Sequence, residues 1–357
     1  RHVEIQVLSD GQGNAIHLGE RDCSTQRRNQ KIIEESPAPG LPPQVREGLS
    51  SCAIRLAEAV KYRSAGTVEF LYDEISEEFY FLEVNTRLQV EHGVTEAVTG
   101  LDLVENMIRL AFGESELPVF EHPSPSGHAI QVRLYAEDPG RDFQPCAGLL
   151  TEVSFPDGPR VDTWVETGTE VSTYYDPLLA KLIVHSDDRP GAIEDLRKAL
   201  AGTSVCGIET NLDYLRQIID AGGGFAAGAV STKALEDFEY RPPTVEVIAA
   251  GTQTTVQDYP GRVGYWNVGV PPSGAMDMLS LRLANALVGN PESAAGLECC
   301  VEGPNLRFNQ AARIAVCGAP LAVKLDGAEV AHGSAVDVAA GSVLEFGGGA
   351  PVGVRTY

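Results

Sequence analysis

The sequence from Phe79 to His92 reads Phe-Tyr-Phe-Leu-Glu-Val-Asn-Thr-Arg-Leu-Gln-Val-Glu-His. In an extended chain, alternate side chains point to opposite faces. One face is then mostly apolar and suited to packing. The other face carries an acid, an amide, a cation, an amide and an acid, which are Glu83, Asn85, Arg87, Gln89 and Glu91. This ordered mixture indicates a site that binds a metal and an anion.

A second acidic strand precedes this stretch. Residues 65–72 have the pattern of a strand, and a hairpin folded about Ser76 would place Glu69 opposite Glu83. Two adjacent carboxylates on one sheet face repel each other. A divalent cation with oxygen ligands would offset this repulsion, and Asn85 would supply a third oxygen. The alternative is a solvated charged strand without a metal.

Cations accompany these acids. Arg87 could form a plain salt bridge, or it could offer a bidentate fork to a small planar anion. In the second case Glu91 could act as a general base on that anion. A basic loop lies upstream, and in this acidic chain we interpret it as a phosphate-binding loop rather than a solvated charge run. The loop contains Gln26, Arg27, Arg28 and Lys31.

Composition restricts the possible partners. The 357 residues carry a net charge of −23, which argues against nucleic acid or an anionic membrane surface as a partner. No apolar run is long enough to span a bilayer. The seven cysteines are an odd number at irregular spacing, without a zinc pattern. We therefore expect reduced thiols in a cytoplasmic protein.

Pattern changes along the chain predict an α+β protein of three domains. The first covers residues 1–114 and contains the stretch described above. A Pro-rich linker at 115–126 leads to a second domain at 127–240, with three strands followed by two amphipathic helices. From residue 244 to 357 the chain has short β runs separated by Gly and Pro, with one helix, and this predicts a mainly-β third domain.

Several motifs resemble the biotin carboxylase component of the biotin-dependent carboxylases. The resemblance covers residues 1–240, and it implies the C-terminal lobe of an ATP-grasp fold followed by a biotin carboxylase C-terminal domain. In that family ATP and bicarbonate give carboxyphosphate, whose carbon dioxide passes to N1 of biotin. The motifs begin at Arg1-His-Val-Glu-Ile-Gln-Val, Glu20-Arg-Asp-Cys-Ser, Gly66-Thr-Val-Glu-Phe-Leu, Phe81-Leu-Glu-Val-Asn-Thr-Arg, Gly127-His-Ala-Ile-Gln-Val-Arg and Tyr174-Tyr-Asp-Pro-Leu-Leu-Ala-Lys.

The resemblance also implies residue roles. It implies that Mg²⁺ (or Mn²⁺) is bound by Glu69, Glu83 and Asn85. It implies that bicarbonate and phosphate are bound by Lys31, Arg87, Gln89, Val90 and Glu91, with Glu91 as the base that deprotonates bicarbonate. Arg133 matches the residue that stabilises the biotin enolate, and His2, Gln26 and Lys31 match ATP contacts. Asn29 departs from many relatives, which have His at this position.

The last third of the chain points to a subfamily. Residues 251–266 and 269–277 resemble the start of the β-rich carboxyltransferase of urea carboxylase, a module that is similar to allophanate hydrolase subunit 2 and to a 5-oxoprolinase component. This implies that urea accepts the carboxyl group and that allophanate is the product. Two alternatives are a guanidine carboxylase, whose substrate carries an amidinium charge, and a truncated, non-catalytic module.

The resemblance further implies partners outside these 357 residues. We expect a glycine-rich ATP lid before Arg1, and a biotinyl carrier domain and the remainder of the carboxyltransferase after Tyr357. An allophanate hydrolase would act next, either fused or separate. On this basis we expect residues 1–357 alone to be inactive or nearly so.

Overall fold

Alternating polar and apolar residues in the first 36 positions form three strands of one antiparallel sheet. The structure, a computed structural model, describes residues 1–114, 125–220 and 224–357, in two units that divide at Tyr240 and Arg241. The predicted linker at 115–126 therefore lies almost wholly outside the described residues. Within the described residues, no helix has the length and apolar character needed to cross a bilayer.

Unit 1 contains fourteen strands and five α-helices among its described residues. The strands are β1 (His2–Asp10), β2 (Ala15–Arg27), β3 (Gln30–Ser36), β4 (Arg63–Asp73), β5 (Glu78–Asn85), β6 (His128–Tyr135), β7 (Glu137–Asp138), β8 (Gln144–Pro145), β9 (Gly148–Leu149), β10 (Glu152–Ser154), β11 (Arg160–Thr163), β12 (Glu170–Val171), β13 (Leu178–Ser186) and β14 (Ser204–Cys206). The helices are α1 (Pro43–Ala59), α2 (His92–Thr99), α3 (Leu103–Ala111), α4 (Arg189–Gly202) and α5 (Leu212–Asp220).

Eight of these strands form one sheet in the order β11-β13-β6-β3-β2-β1-β4-β5. The sheet therefore continues without a break from the predicted first domain into the predicted second one. The strands bury their apolar side chains in two large clusters, one around Leu134, Leu182 and Leu196, the other around Val3 and Phe70. This continuity matters for function because residues of both segments reach the same region of the sheet.

Two local signals place the helices. Pro43 occupies the first turn of α1, where a missing N–H costs nothing. The side chain of Asp102 accepts a hydrogen bond from the backbone N–H of Glu105 at 2.8 Å and so caps α3.

The predicted hairpin is confirmed, since β4 and β5 pair with Glu69 opposite Glu83. The predicted continuation of this strand to Glu91 is wrong. The strand ends at Asn85, the chain turns, and Glu91 becomes the N-cap residue of α2. The strand β5 lies at the edge of the sheet, so a longer strand would leave Gln89 and Glu91 in solvent. The turn buries both instead, with 5% and 2% exposure.

Unit 2 is mainly β, as predicted. Its strands are β15 (Val245–Ala249), β16 (Gln253–Gln257), β17 (Gly296–Cys300), β18 (Asn305–Phe308), β19 (Ala312–Ala315), β20 (Val323–Leu325), β21 (Ala328–Glu329), β22 (Ala335–Val338), β23 (Val343–Phe346) and β24 (Arg355–Thr356), and its helix is α6 (Met278–Val288). The strands form small antiparallel sheets around a core that includes Leu306, Phe308 and Leu344.

Candidate active site

A row of charged residues crosses unit 1 in direct register. Arg21 on β2 stands opposite Glu4 on β1, Glu4 stands opposite Glu69 on β4, and Glu69 stands opposite Glu83 on β5. Because each pair shares one face of the sheet, three carboxylates follow one another with cations at one side only. Further cations that contact these carboxylates would offset the repulsion between them.

The predicted metal ligands meet at the end of this row. The side-chain nitrogen of Asn85 donates to Oε1 of Glu69 at 2.8 Å and to Oε1 of Glu83 at 3.1 Å. Burial would raise the pKa of Glu69, but the hydrogen bond from His2 and the charge of Lys31 hold it at about 2. Mg²⁺ and Mn²⁺ prefer oxygen ligands. The two convergent carboxylates, of which Glu69 is held ionised, and the amide group of Asn85 offer such oxygens, so these residues fit the predicted metal.

Lys31 connects this group to Glu91. Its ammonium contacts Glu4, lies 3.3 Å from Oε1 of Glu69, and donates to Oε1 of Glu91 at 2.6 Å. Burial disfavours the ammonium, yet its acidic surroundings raise the pKa of Lys31 above the usual value. Lys31 is therefore a permanently charged contact between the predicted metal ligands and the predicted base.

Glu91 is held on its other side by Arg133. The guanidinium of Arg133 donates to Oε2 of Glu91 at 3.0 Å and to Oε1 of the fully buried Glu34 at 2.5 Å. Burial raises the pKa of Glu34, and the charge of Arg133 partly opposes this shift. Glu91 thus has one cation on each carboxylate oxygen.

Arg21 is the buried centre of the same network. It is 0% exposed and donates to Glu4 at 3.1 Å, to Gln6 at 2.7 Å and to the side-chain oxygen of Gln89 at 2.9 Å. The side-chain nitrogen of Gln89 in turn donates to Oε1 of Glu69 at 2.7 Å. Gln89 therefore joins the row of acids to the turn that carries Glu91.

The predicted ATP contacts lie beside the metal ligands. The ring of His2 is hydrogen-bonded to Oε2 of Glu69 at 2.8 Å through Nε2, and to the side-chain nitrogen of Gln26 at 2.7 Å through Nδ1. Gln26 pairs with Lys31 across β2 and β3. These contacts form a continuous chain of hydrogen bonds from Gln26 through His2, Glu69 and Asn85 to Glu83.

Arg87 and Val90 complete the set of predicted residues. Arg87 is exposed, and within the described part of the chain no carboxylate forms an ion pair with its guanidinium, so the plain salt bridge that the sequence allowed is not formed. The carbonyl oxygen of Val90 accepts a hydrogen bond from Lys181 at 2.9 Å. In a chain of charge −23, a cation without an acidic partner next to acidic residues is an available anion contact.

The predicted basic loop does not act as one unit. The guanidinium of Arg27 donates to Glu137 at 2.9 Å and lies over the ring of Phe143, and Arg28 forms an exposed ion pair with Asp142 at 2.7 Å. The hairpin between β2 and β3 sends successive side chains to different sides. Of these three cations, Lys31 contacts Glu4 and Glu69 in the row of acids, whereas Arg27 and Arg28 pair with acids elsewhere.

Four residues of the network were missed by sequence reasoning: Glu4, Arg21, Glu34 and Lys181. The first lies in the alternating strand His2–Asp10, where parity with His2 was the available signal. Burial hides the others, because a charged residue in a strand is ordinarily read as solvent-facing.

Three family descriptions match the chain. Residues 1–118 match the ATP-binding domain of the carbamoyl-phosphate synthase L chain, residues 131–237 match the biotin carboxylase C-terminal domain, and residues 268–357 match the carboxyltransferase domain, subdomains A and B.

Two relatives are similar in sequence over nearly the whole chain. Urea amidolyase of Saccharomyces cerevisiae is 52% identical over 349 residues, covering 97% of this chain and 19% of the yeast protein. The putative urea carboxylase of Emericella nidulans is 48% identical over 372 residues, covering 100% of this chain and 30% of the relative. The chain thus spans about a fifth to a third of the length of these relatives.

Two solved structures are also similar to this chain. The crystal structure of Kluyveromyces lactis urea carboxylase has a TM-score of 0.82 and 53% identity, covering all of this chain and 31% of that one. The biotin carboxylase domain of Hydrogenobacter thermophilus 2-oxoglutarate carboxylase, solved with MgADP and bicarbonate, has a TM-score of 0.65 and 42% identity, covering 68% of this chain and 54% of that one. The chain therefore belongs to the family of the urea amidolyases and urea carboxylases, and it carries biotin carboxylase and carboxyltransferase sequence.

Proposed function

We propose that this chain carries the ATP- and bicarbonate-binding half of a biotin carboxylase centre, in an enzyme that transfers the carboxyl group to urea and gives allophanate. The observation that carries the proposal is the position of Glu91, whose two carboxylate oxygens contact Lys31 at 2.6 Å and Arg133 at 3.0 Å. The Lys31 ammonium that binds Glu91 also lies 3.3 Å from Oε1 of Glu69, so the Glu91 carboxylate lies close to the paired acids Glu69 and Glu83.

The proposed roles follow from these contacts. Glu69, Glu83 and Asn85 hold Mg²⁺ or Mn²⁺, which when bound neutralises charge on the ATP phosphates. His2, Gln26 and Lys31 contact the nucleotide. Arg87, Gln89 and the Val90–Glu91 backbone bind bicarbonate, so that the two reactants meet along one edge of the sheet.

Proton transfer falls to Glu91. Its carboxylate takes the bicarbonate proton, which frees an oxygen of the anion to attack the γ-phosphorus of ATP; the bond to ADP breaks, and carboxyphosphate forms. Biotin, attached to a carrier domain, would supply the nitrogen that accepts carbon dioxide, with the phosphate released from carboxyphosphate as the acceptor of its N1 proton. Arg133 stabilises negative charge on the ureido oxygen, and its contact with Glu91 keeps it oriented.

The proposal extends to partners and location. The remainder of the carboxyltransferase takes the carboxyl group to urea, and an allophanate hydrolase, fused or separate, consumes the product. We place the enzyme in the cytoplasm. Free thiols support this location, because thiols persist in reducing compartments. The cysteines are all free: Cys23, Cys52, Cys146, Cys206, Cys299, Cys300 and Cys317.

The test uses the full-length, biotinylated protein. We expect ATP cleavage that depends on bicarbonate and is stimulated by urea, and a higher kcat/KM for urea than for guanidinium. A higher value for guanidinium would overturn the assignment of urea and support a guanidine carboxylase. An absence of bicarbonate-dependent ATP cleavage would overturn the enzyme assignment and support a non-catalytic module.

A further inference from the structure

Lys181 is a buried cation that the roles above do not include. It lies on β13 with 8% exposure. Its ammonium donates to the carbonyl oxygen of Val90 at 2.9 Å and lies 2.9 Å from Oδ2 of Asp162. Lys181 stands directly opposite Arg133 on β6 and Asp162 on β11, so the three side chains share one face of the sheet. Arg133 thus binds the side chain of Glu91, while Lys181 binds the backbone just before it.

The carbonyl that Lys181 holds belongs to the peptide group between Val90 and Glu91. This peptide is trans, and because a peptide group is planar, the direction of its C=O also fixes the N–H of Glu91, which points the opposite way. Within the described part of the chain, that N–H has no hydrogen-bond acceptor. A cation on the carbonyl oxygen also polarises the peptide and strengthens the N–H as a donor.

Lys181 is itself held in place. Arg160 donates to both carboxylate oxygens of Asp162, at 3.0 Å and 3.1 Å, and also to Oε2 of Glu96 at 2.5 Å. Glu96 uses its other oxygen to accept the backbone N–H of Leu103 at 2.7 Å. Burial would raise the pKa of Asp162, but its hydrogen bonds with Arg160 and Lys181 lower it, so the carboxylate stays ionised.

We propose that Lys181 is a positioning residue. By holding the Val90 carbonyl, it directs the N–H of Glu91 towards a bicarbonate oxygen and thereby raises the affinity of the site for bicarbonate. This inference rests on the proposed function and deepens it, because it adds a residue that acts on the anion through the backbone rather than by touching it.

The test compares variants of the full-length enzyme in steady-state ATP cleavage. In Lys181→Met the bicarbonate KM should rise by about 10- to 100-fold, the size expected for loss of a charge-assisted hydrogen bond, while the KM for ATP stays unchanged. Lys181→Arg, which keeps the cation, should recover part of the loss. Lys198→Met is the matched control, because Lys198 is two-thirds exposed in the same unit, and it should leave both KM values unchanged.

The outcomes separate this inference from the function itself. A wild-type enzyme without bicarbonate-dependent ATP cleavage would contradict the proposed function. An active wild type together with a folded Lys181→Met that keeps its bicarbonate KM would overturn the role of Lys181 alone, as would equal increases in both KM values. If Lys181→Met does not fold, Asp162→Asn decides the question: a selective rise in the bicarbonate KM supports the proposal, and an unchanged value overturns it.

Discussion

Glu69 and Glu83 stand directly opposite each other across β4 and β5, and the amide nitrogen of Asn85 donates to both carboxylates. The three side chains are brought together by one tight hairpin, so their geometry is set by local structure. Lys31 reaches Glu69 from a different strand, at 3.3 Å, which connects the hairpin to the rest of the site.

Glu83→Gln should weaken the response of the full-length enzyme to Mg²⁺. Loss of even an outer partner of a metal ligand costs about 10- to 100-fold in affinity, so we expect at least roughly a tenfold rise in the Mg²⁺ concentration that half-activates ATP cleavage. Glu83 is exposed, and its neutralisation should therefore leave stability almost unchanged.

Glu78→Gln is the control for this change, because Glu78 is an exposed acid of the same strand whose carboxylate accepts a hydrogen bond from the nearby Tyr80 hydroxyl at 2.6 Å. An equal effect of both substitutions would point to general charge loss rather than to metal binding at Glu83.

Glu91→Gln should abolish carboxylation and leave the fold intact. The amide cannot accept the bicarbonate proton. Lys31 keeps its contact with Glu4, and Arg133 keeps Glu34, so neither cation is left without an acid. Carboxylation of biotin and thermal unfolding of the full-length enzyme check the two halves of this prediction.

Glu105→Gln, an exposed substitution on α3, should keep wild-type carboxylation. Carboxylation by Glu91→Gln at a near wild-type rate would remove Glu91 from the role of base.

The local parts of the site could be predicted from the sequence, and the long-range parts could not. A short loop between two strands fixes the register of Glu69 and Glu83. The contacts of Glu91 with Lys31 and Arg133 join residues 60 and 42 positions apart, and no periodicity specifies which distant strand will supply a cation. The resemblance to biotin carboxylases named these residues. It gave no role to Lys181, because no local pattern indicates a contact with Val90, which lies 91 positions away.

Unit 2 shows the same limit at the level of strands. The strands Val245–Ala249, Ala335–Val338 and Val343–Phe346 belong to the short β runs that the sequence pattern indicates, because they are rich in β-branched and apolar residues. The strands Gln253–Gln257 and Gly296–Cys300 were not predicted. Their polar and glycine-containing sequences form strands through pairing with each other, which is tertiary context.

Arg21→Met should be strongly destabilising. It removes a fully buried cation and leaves the buried Glu4 with Lys31 as its main counter-charge, and breaking a buried ion pair in this way costs about 3–5 kcal/mol. Denaturation in guanidinium chloride measures the loss.

Arg28→Met gives the comparison for Arg21→Met, because Arg28 forms an exposed ion pair with Asp142 that is worth about 0–1 kcal/mol. A loss of similar size in both variants would show that Arg21 does not hold the network together.

The acid stability of the protein should depend on Glu69. Its pKa is lowered from the ordinary value of 4.5 to about 2 by the hydrogen bond from His2 and the charge of Lys31, which outweigh burial. A lowered pKa in the folded state means that the unfolded state binds the proton more readily, so this group stabilises the fold above about pH 4.5 and loses that contribution as the pH falls towards 2. The difference in melting temperature between the wild type and Glu69→Gln should therefore be largest near neutral pH and shrink over this window. Glu105→Gln reports the general effect of removing one exposed acid, and an equal pH dependence in both variants would contradict the stabilising role of ionised Glu69.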